Sequence, residues 1–96
     1  MSNVVPSRDD LIAQIQQSKF SITKFRERYN VDDVDDFLDL IVQKLQHDAP
    51  KAELLELLKT AKFRTASFHI GYLAKRVDAF ILLLQSSLSE EIEPRR

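Results

Sequence analysis

Cysteine is absent from this chain of 96 residues, and glycine and proline are scarce, with one and three residues respectively. Without cysteine there is no disulfide framework, no thiolate metal site and no cysteine nucleophile, which fits a reducing compartment such as the cytoplasm. So few glycines and prolines also leave little material for turns. The composition therefore predicts one small domain of long helices with short connections.

Long apolar runs and a large net charge are also missing. The longest uninterrupted apolar stretch is Ala79–Leu84, whereas a helix that spans a bilayer needs roughly 18 apolar residues or more. Met1–Arg8 has neither the basic start nor the apolar core of a secretory signal. The net charge of −1 gives no broad positive field for nucleic acid. We expect a cytoplasmic protein that binds no nucleic acid and meets a membrane only at its inner surface, as a peripheral protein.

No group of residues has the spacing of a catalytic or metal-binding site. His47 and His69 are far apart, and no third ligand is in register with them. Asp32, Asp35, Asp36 and Asp39 share one face of a predicted helix, but nothing supplies opposing oxygens, so a solvated face is the better interpretation. There is no glycine-rich phosphate loop and no Ser or Thr with a base implied by spacing. We expect no enzymatic activity, cofactor, metal or small-molecule substrate.

What the chain does contain is an internal repeat with a fixed offset of 43 residues, the separation of Lys19 from Lys62. Aromatic, aliphatic and acidic positions coincide under this shift without a gap, which indicates a duplicated supersecondary unit. The identical pairs are Lys19 with Lys62, Phe20 with Phe63, Phe25 with Phe68, Tyr29 with Tyr72, Val34 with Val77, Asp35 with Asp78 and Phe37 with Phe80.

Capping residues and apolar spacing predict two helices in each copy. Ser7 with Asp10 starts a first helix at about 8–18 and Asn30 a second at about 31–46. Pro50 favours the start of a third helix, through Leu54, Leu55, Leu57 and Leu58, and a fourth is expected at about 73–90. The predicted fold is a single all-α domain, 1–96, of two helix-loop-helix units (about 7–47 and 48–90) with pseudo-twofold symmetry and a frayed tail, 91–96.

The two copies differ on one face of their second helices. Asp36, Asp39 and Gln43 in the first copy become Ala79, Leu82 and Ser86 in the second. The fourth helix therefore has a small-apolar face in addition to its core stripe. We expect a homodimer that forms through Ala79, Leu82, Leu83 and Ser86. The alternative is that this helix is central in a monomeric bundle.

Charge at the helix starts is also reversed between the copies. Lys75 and Arg76 stand where the first copy has Asp32 and Asp33. Cations at a helix N-terminus oppose the helix dipole. We therefore expect carboxylates from the start of the second helix to compensate them, in the same chain or across a dimer.

The segments between the paired helices combine cations with aromatic residues. Residues 19–29 hold four cations, one anion and three aromatic residues, and residues 61–72 repeat a weaker version. Such a segment suits an anionic membrane surface, through Coulomb attraction and a small apolar tip. We expect two ordered loops in which Phe25, Tyr29, Phe68 and Tyr72 fold back on the helices. For Phe20 and Phe63, packing and surface contact are equally open.

These motifs resemble the DivIVA domain, the N-terminal module of bacterial cell-division and polar-growth scaffolds. The family pattern is a Phe, a short basic loop, Gly-Tyr-Asp, and Val-Asp-x-Phe-Leu-Asp opening a helix. The first copy matches at Phe20, Tyr29 and Val34–Asp39, and the second at Phe63, Gly71–Tyr72 and Val77–Phe80. Together the two matches cover about two-thirds of the chain.

The resemblance implies a noncatalytic bacterial protein that self-associates and contacts either the membrane or a division or envelope protein. The implied contact residues are Phe20, Lys24, Arg26, Phe63 and Arg64. The implied packing residues are Val34, Phe37, Leu38, Val77, Phe80 and Ile81. The chain departs from the family where nothing resembling the long coiled coil follows Leu88, and where Arg28 replaces the Gly before Tyr29. An adaptor that binds protein and not lipid is the alternative function.

Overall fold

A computed structural model of the chain describes residues 7–91, which form four helices and three short strands. The helices are α1 (Arg8–Gln17), α2 (Val31–Gln46), α3 (Lys51–Lys59) and α4 (Ala74–Ser89). Ser7 and Asp10 form the capping box at α1. The Asn30 side chain accepts a hydrogen bond from the Asp33 amide at 2.9 Å at the start of α2. Of the tail predicted at 91–96, residues 92–96 lie outside the described part.

The prediction of an all-α fold is wrong, because the segments between the paired helices form a small antiparallel sheet. Its strands are β1 (Ile22–Thr23), β2 (Arg28–Tyr29) and β3 (Gly71–Leu73), in the order β1-β3-β2. The β-branched side chains of Ile22 and Thr23 in β1 favour an extended backbone over a helix. The strands themselves were missed because they are too short to show alternation, and each pairs with the other repeat.

The sheet has the same internal symmetry as the sequence. Tyr29 faces Tyr72, its own counterpart in the repeat. Each tyrosine also faces a second residue: Tyr72 faces Ile22, and Tyr29 faces Thr65. Ile22 and Thr65 are counterparts in the repeat, so the two pairings are equivalent. The symmetry axis that relates the two units therefore passes between the two tyrosines.

One apolar core joins all four helices, which also meet at the end opposite the sheet. Arg8 at the start of α1 pairs with Glu91 after α4 and donates to the Ala49 carbonyl at 2.7 Å. Lys51 at the start of α3 donates to the Ser89 and Glu91 carbonyls. Of the six packing residues named above, Val34, Leu38, Val77 and Ile81 are buried, and Phe37 and Phe80 are half-buried against the core. The loops thus lie at one end of the bundle and these helix termini at the other.

Candidate functional site

The sheet end brings together the aromatic residues that the sequence singled out, and it separates them into two classes. Phe20 packs against Tyr72 and Phe80, with ring centroids 5.3 and 5.5 Å apart. Its counterpart Phe63 packs against Tyr29 and Phe37, at 5.2 and 5.5 Å. Each repeat thus contributes a phenylalanine that fills a gap in the other repeat. Phe20 and Phe63 lie inside the joint between the two units, not at the loop tips.

The two tyrosines are fixed across the same joint by reciprocal hydrogen bonds. The Tyr29 hydroxyl donates to Asp78 on α4 at 2.8 Å, and the Tyr72 hydroxyl donates to Asp35 on α2 at 2.9 Å. Burial, followed by the hydrogen bond to Asp78, raises the pKa of Tyr29 to about 12. Both phenols therefore remain protonated at neutral pH and act as donors that tie each loop to the opposite helix.

Arg64, which the resemblance places in a contact loop, is occupied by an acidic partner. Its Nε and Nη2 atoms bond the two Asp33 oxygens at 3.0 and 2.8 Å, and its backbone amide bonds Oδ2 at 2.9 Å. The side-chain hydrogen bond from Arg64 lowers the pKa of Asp33 to about 2. This pair fastens the second loop to the start of α2. It also means that Asp33, one of the carboxylates expected to compensate Lys75 and Arg76, is already paired.

Phe25 and Phe68 are the aromatic residues that face solvent, with 91% and 92% of their surface exposed. The expectation that they fold back on the helices is therefore wrong. Thr23 Oγ1 accepts hydrogen bonds from the Phe25 and Arg26 amides, a turn that directs the first tip away from the bundle. Phe68 has a φ of +65°, a left-handed conformation that is disfavoured for a bulky residue.

The guanidinium of Arg28 links the two loop tips through hydrogen bonds. Arg28 Nε donates to the His69 carbonyl at 2.6 Å, and Arg28 Nη1 donates to the Arg26 carbonyl at 3.0 Å. These two carbonyls belong to the residues that follow Phe68 and Phe25, so the tips share one surface. We call it the loop-tip surface. It comprises Ile22, Lys24, Phe25, Arg26, Phe68 and Ile70, all of which are exposed.

The loop-tip surface is apolar at its tips and basic around them. Ile22 and Ile70 are 56% and 52% exposed beside the two phenylalanines. Residues 19–29 and 61–72 together carry six cations and a single carboxylate, Glu27. The sequence pointed to this region through its charge pattern. It gave no signal for which phenylalanine of each loop faces outward, because the residues that bury Phe20 and Phe63 lie in the other repeat.

A second exposed surface lies on α4 and contains the residues predicted for self-association. Leu82 and Leu83 are 64% and 51% exposed, and Ala79 and Ser86 are exposed beside them. The alternative, in which α4 is surrounded by its own chain, would cover this face, and within residues 7–91 nothing does. Lys75 and Arg76, at the start of the same helix, form no ion pair within the described chain.

The described residues hold no cluster of three or more side chains suited to a metal ion. None of the helices in residues 7–91 has the length and apolarity needed to cross a membrane. Comparison with known proteins identifies no relative, since no family model, curated protein or solved structure matches the chain.

Proposed function

We propose that this chain is a noncatalytic interaction module that docks peripherally on an anionic membrane surface through the loop-tip surface. The observation that carries the proposal is the near-complete exposure of Phe25 and Phe68 on two loops that are held in fixed positions. A bulky residue in the left-handed region costs roughly 1–2 kcal/mol. Phe68 pays this cost without packing against its own chain, which is readily explained if the ring serves an external contact.

The chemistry of the surface matches the interfacial region of a bilayer. Burying two phenylalanine side chains among acyl chains and headgroups would contribute about 3–6 kcal/mol. Lys24 and Arg26 flank Phe25 and form no ion pair in the described chain. Each such cation near an anionic leaflet contributes about 1 kcal/mol. These magnitudes favour reversible binding that depends on both apolar insertion and lipid charge.

The resemblance of both motifs to the DivIVA domain adds a cellular setting to the proposal. In that setting the surface would be the inner face of a bacterial cell membrane, at a site of division or envelope growth. The residues that would make the contact are Phe25 and Phe68 in place of Phe20 and Phe63. Lys24 and Arg26 keep the role that the resemblance assigns to them, whereas Arg64 serves mainly to hold the second loop.

Vesicle co-sedimentation tests the proposal with variants that leave the core intact. The wild type should sediment with vesicles that contain phosphatidylglycerol and stay in solution with pure phosphatidylcholine, and salt should weaken binding. F25S/F68S and K24E/R26E should abolish binding without changing the unfolding midpoint. Leu40→Ser, at an exposed apolar position of α2, is the control and should bind normally.

Because the chain contains no tryptophan, a single introduced Trp provides an independent fluorescent reporter of insertion. Phe25→Trp should give a blue-shifted emission spectrum with anionic vesicles, and a Trp at Leu40 should not. A folded wild type that binds no vesicle at low salt would overturn the membrane proposal and favour an adaptor that binds protein alone. Binding that survives F25S/F68S would show that the loop-tip surface is not the contact.

A further inference from the structure

The outer face of α4 is complementary to itself when two copies lie antiparallel. Its exposed residues recur at steps of three and four, opposite the buried stripe of the same helix. They are Lys75, Ala79, Leu82, Leu83, Ser86 and Glu90. We propose that this face binds a second copy of the chain, with the two α4 helices antiparallel about a twofold axis between Leu82 and Leu83.

The charges at the two ends of α4 favour a second copy of the chain as the partner and an antiparallel orientation of the two helices. Lys75 and Arg76 oppose the dipole of their own helix and form no ion pair within residues 7–91, and Glu90 at the other end is likewise without one. Lys75 lies seven residues before Leu82, and Glu90 lies seven residues after Leu83, so the two are equally far from the proposed axis. In an antiparallel pair, each cationic end therefore meets the anionic end of the partner's helix, and symmetry repeats the contact. A parallel pair would bring like charges together.

Side-chain size follows the same symmetry. Ala79 lies three residues before Leu82 and Ser86 three residues after Leu83, so a small residue faces a small residue on both sides of the leucines. This allows the helices to approach closely enough for Leu82 and Leu83 to lose water at the centre. The equivalent face of α2 carries Asp36 and Asp39, so it is not a candidate for this contact.

An antiparallel pair would carry one loop-tip surface at each of its two ends. The start of α4 follows β3 at the sheet end, and its last turn is bonded to Lys51 at the other end. Since α4 has 16 residues, it is about 24 Å long. Pairing would place the two loop-tip surfaces at opposite ends of the dimer. Combined with the proposed membrane contact, on which this consequence rests, the dimer would bridge two anionic vesicles.

Engineered cysteines test the geometry against a background that contains none. Oxidising a mixture of Ala79→Cys and Ser86→Cys chains should give a covalent dimer of one chain of each kind, whereas Ala79→Cys alone should form no covalent dimer. Each chain carries one cysteine, so no bridge can form within a chain. In the antiparallel pair the two Ala79→Cys positions are offset by seven residues, about 10.5 Å along the helices, which is beyond the reach of a disulfide. A covalent dimer from Ala79→Cys alone would indicate parallel packing and overturn the proposal, and so would the absence of any covalent dimer.

Association measured without lipid separates this inference from the proposed function. Light scattering of the wild type across a dilution series should show a dimer, and Leu82→Asp should raise its dissociation constant more than about a hundredfold. Lys75→Glu should weaken the dimer roughly tenfold, since two ion pairs are reversed, and K75E/E90K should restore it. Leu40→Asp on α2 is the control and should leave the mass unchanged. A wild type that is monomeric at every concentration, or a double variant that is not rescued, would overturn the antiparallel pair.

Discussion

The first and second repeats form the same structure with different outer faces. Helices α2 and α4 both have 16 residues, and their bounds are related by the offset that relates the sequences. Phe20 and Phe63, which the copies share, pack the joint between them through reciprocal contacts. On the second helix of each copy, residues that differ, such as Asp39 and Leu82, lie on the surface. Duplication thus preserved the fold while leaving the outer faces free to diverge.

The largest effect should come from the core, where the repeats are most alike. Leu11 and its counterpart Leu54 are 1% and 0% exposed. Truncating either to Ala should lower the free energy of unfolding by about 2–5 kcal/mol, because it removes apolar contacts and leaves a cavity. Urea unfolding of Leu11→Ala and Leu54→Ala should give losses similar to each other, with Leu40→Ala as the exposed control. If one copy tolerates the change and the other does not, the repeats do not share one core.

Gly71 marks a place where the repeats must differ, since its counterpart is Arg28. A Cβ atom at Gly71 would lie 2.5 Å from the Tyr29 carbonyl oxygen and 2.9 Å from the Ala66 Cβ. Gly71→Ala should therefore displace the central strand and cost about 1–3 kcal/mol. Urea unfolding measures the loss. An unchanged midpoint for Gly71→Ala would mean that the strands do not approach each other this closely.

The sequence was sufficient to predict the helices and the core, because both depend on local spacing. Val34 and Leu38 in one copy, and Val77 and Ile81 in the other, follow helical periodicity and are buried. The sheet could not be predicted in the same way, since β3 pairs with strands of the other repeat. For the same reason, nothing near Phe20 or Phe25 in the sequence indicates which ring is buried. The candidate site was located by its charges, and its exposed residues required the structure.

A smaller loss of stability should come from removing the side-chain cap that the start of α2 has and the start of α4 lacks. Asn30 caps α2 through its side chain, whereas the equivalent Leu73 gives α4 no side-chain cap. Asn30→Ala should cost about 1 kcal/mol, because the Asp33 amide loses its acceptor. Asn30→Asp keeps an acceptor at the same position and should retain most of the stability in urea unfolding. Equal losses for the two variants would show that the cap does not contribute.

The smallest effect is a dependence of stability on pH that arises at the start of α2 and has no equivalent at the start of α4. Arg64 bonds Asp33, whereas Arg76 stands at the equivalent position in α4. The pKa of Asp33 is lowered from 3.8 to about 2 in the folded chain, so the unfolded chain binds this proton more readily. Its contribution to stability is therefore complete above about pH 5 and is lost as the pH falls towards 2.

Asp33→Asn provides the measurement, since it removes this titration while keeping the side-chain size. The difference in unfolding free energy between wild type and variant should be constant from pH 7 to about pH 5 and should shrink as the pH falls towards 2. Arg64→Gln should remove the same pH dependence, because it is the guanidinium that lowers the pKa of the carboxyl. Asp36→Asn, on the same helix but with no ion pair within residues 7–91, is the matched control. A difference that stays constant down to pH 2 would mean that Asp33 and Arg64 do not hold the second loop to α2.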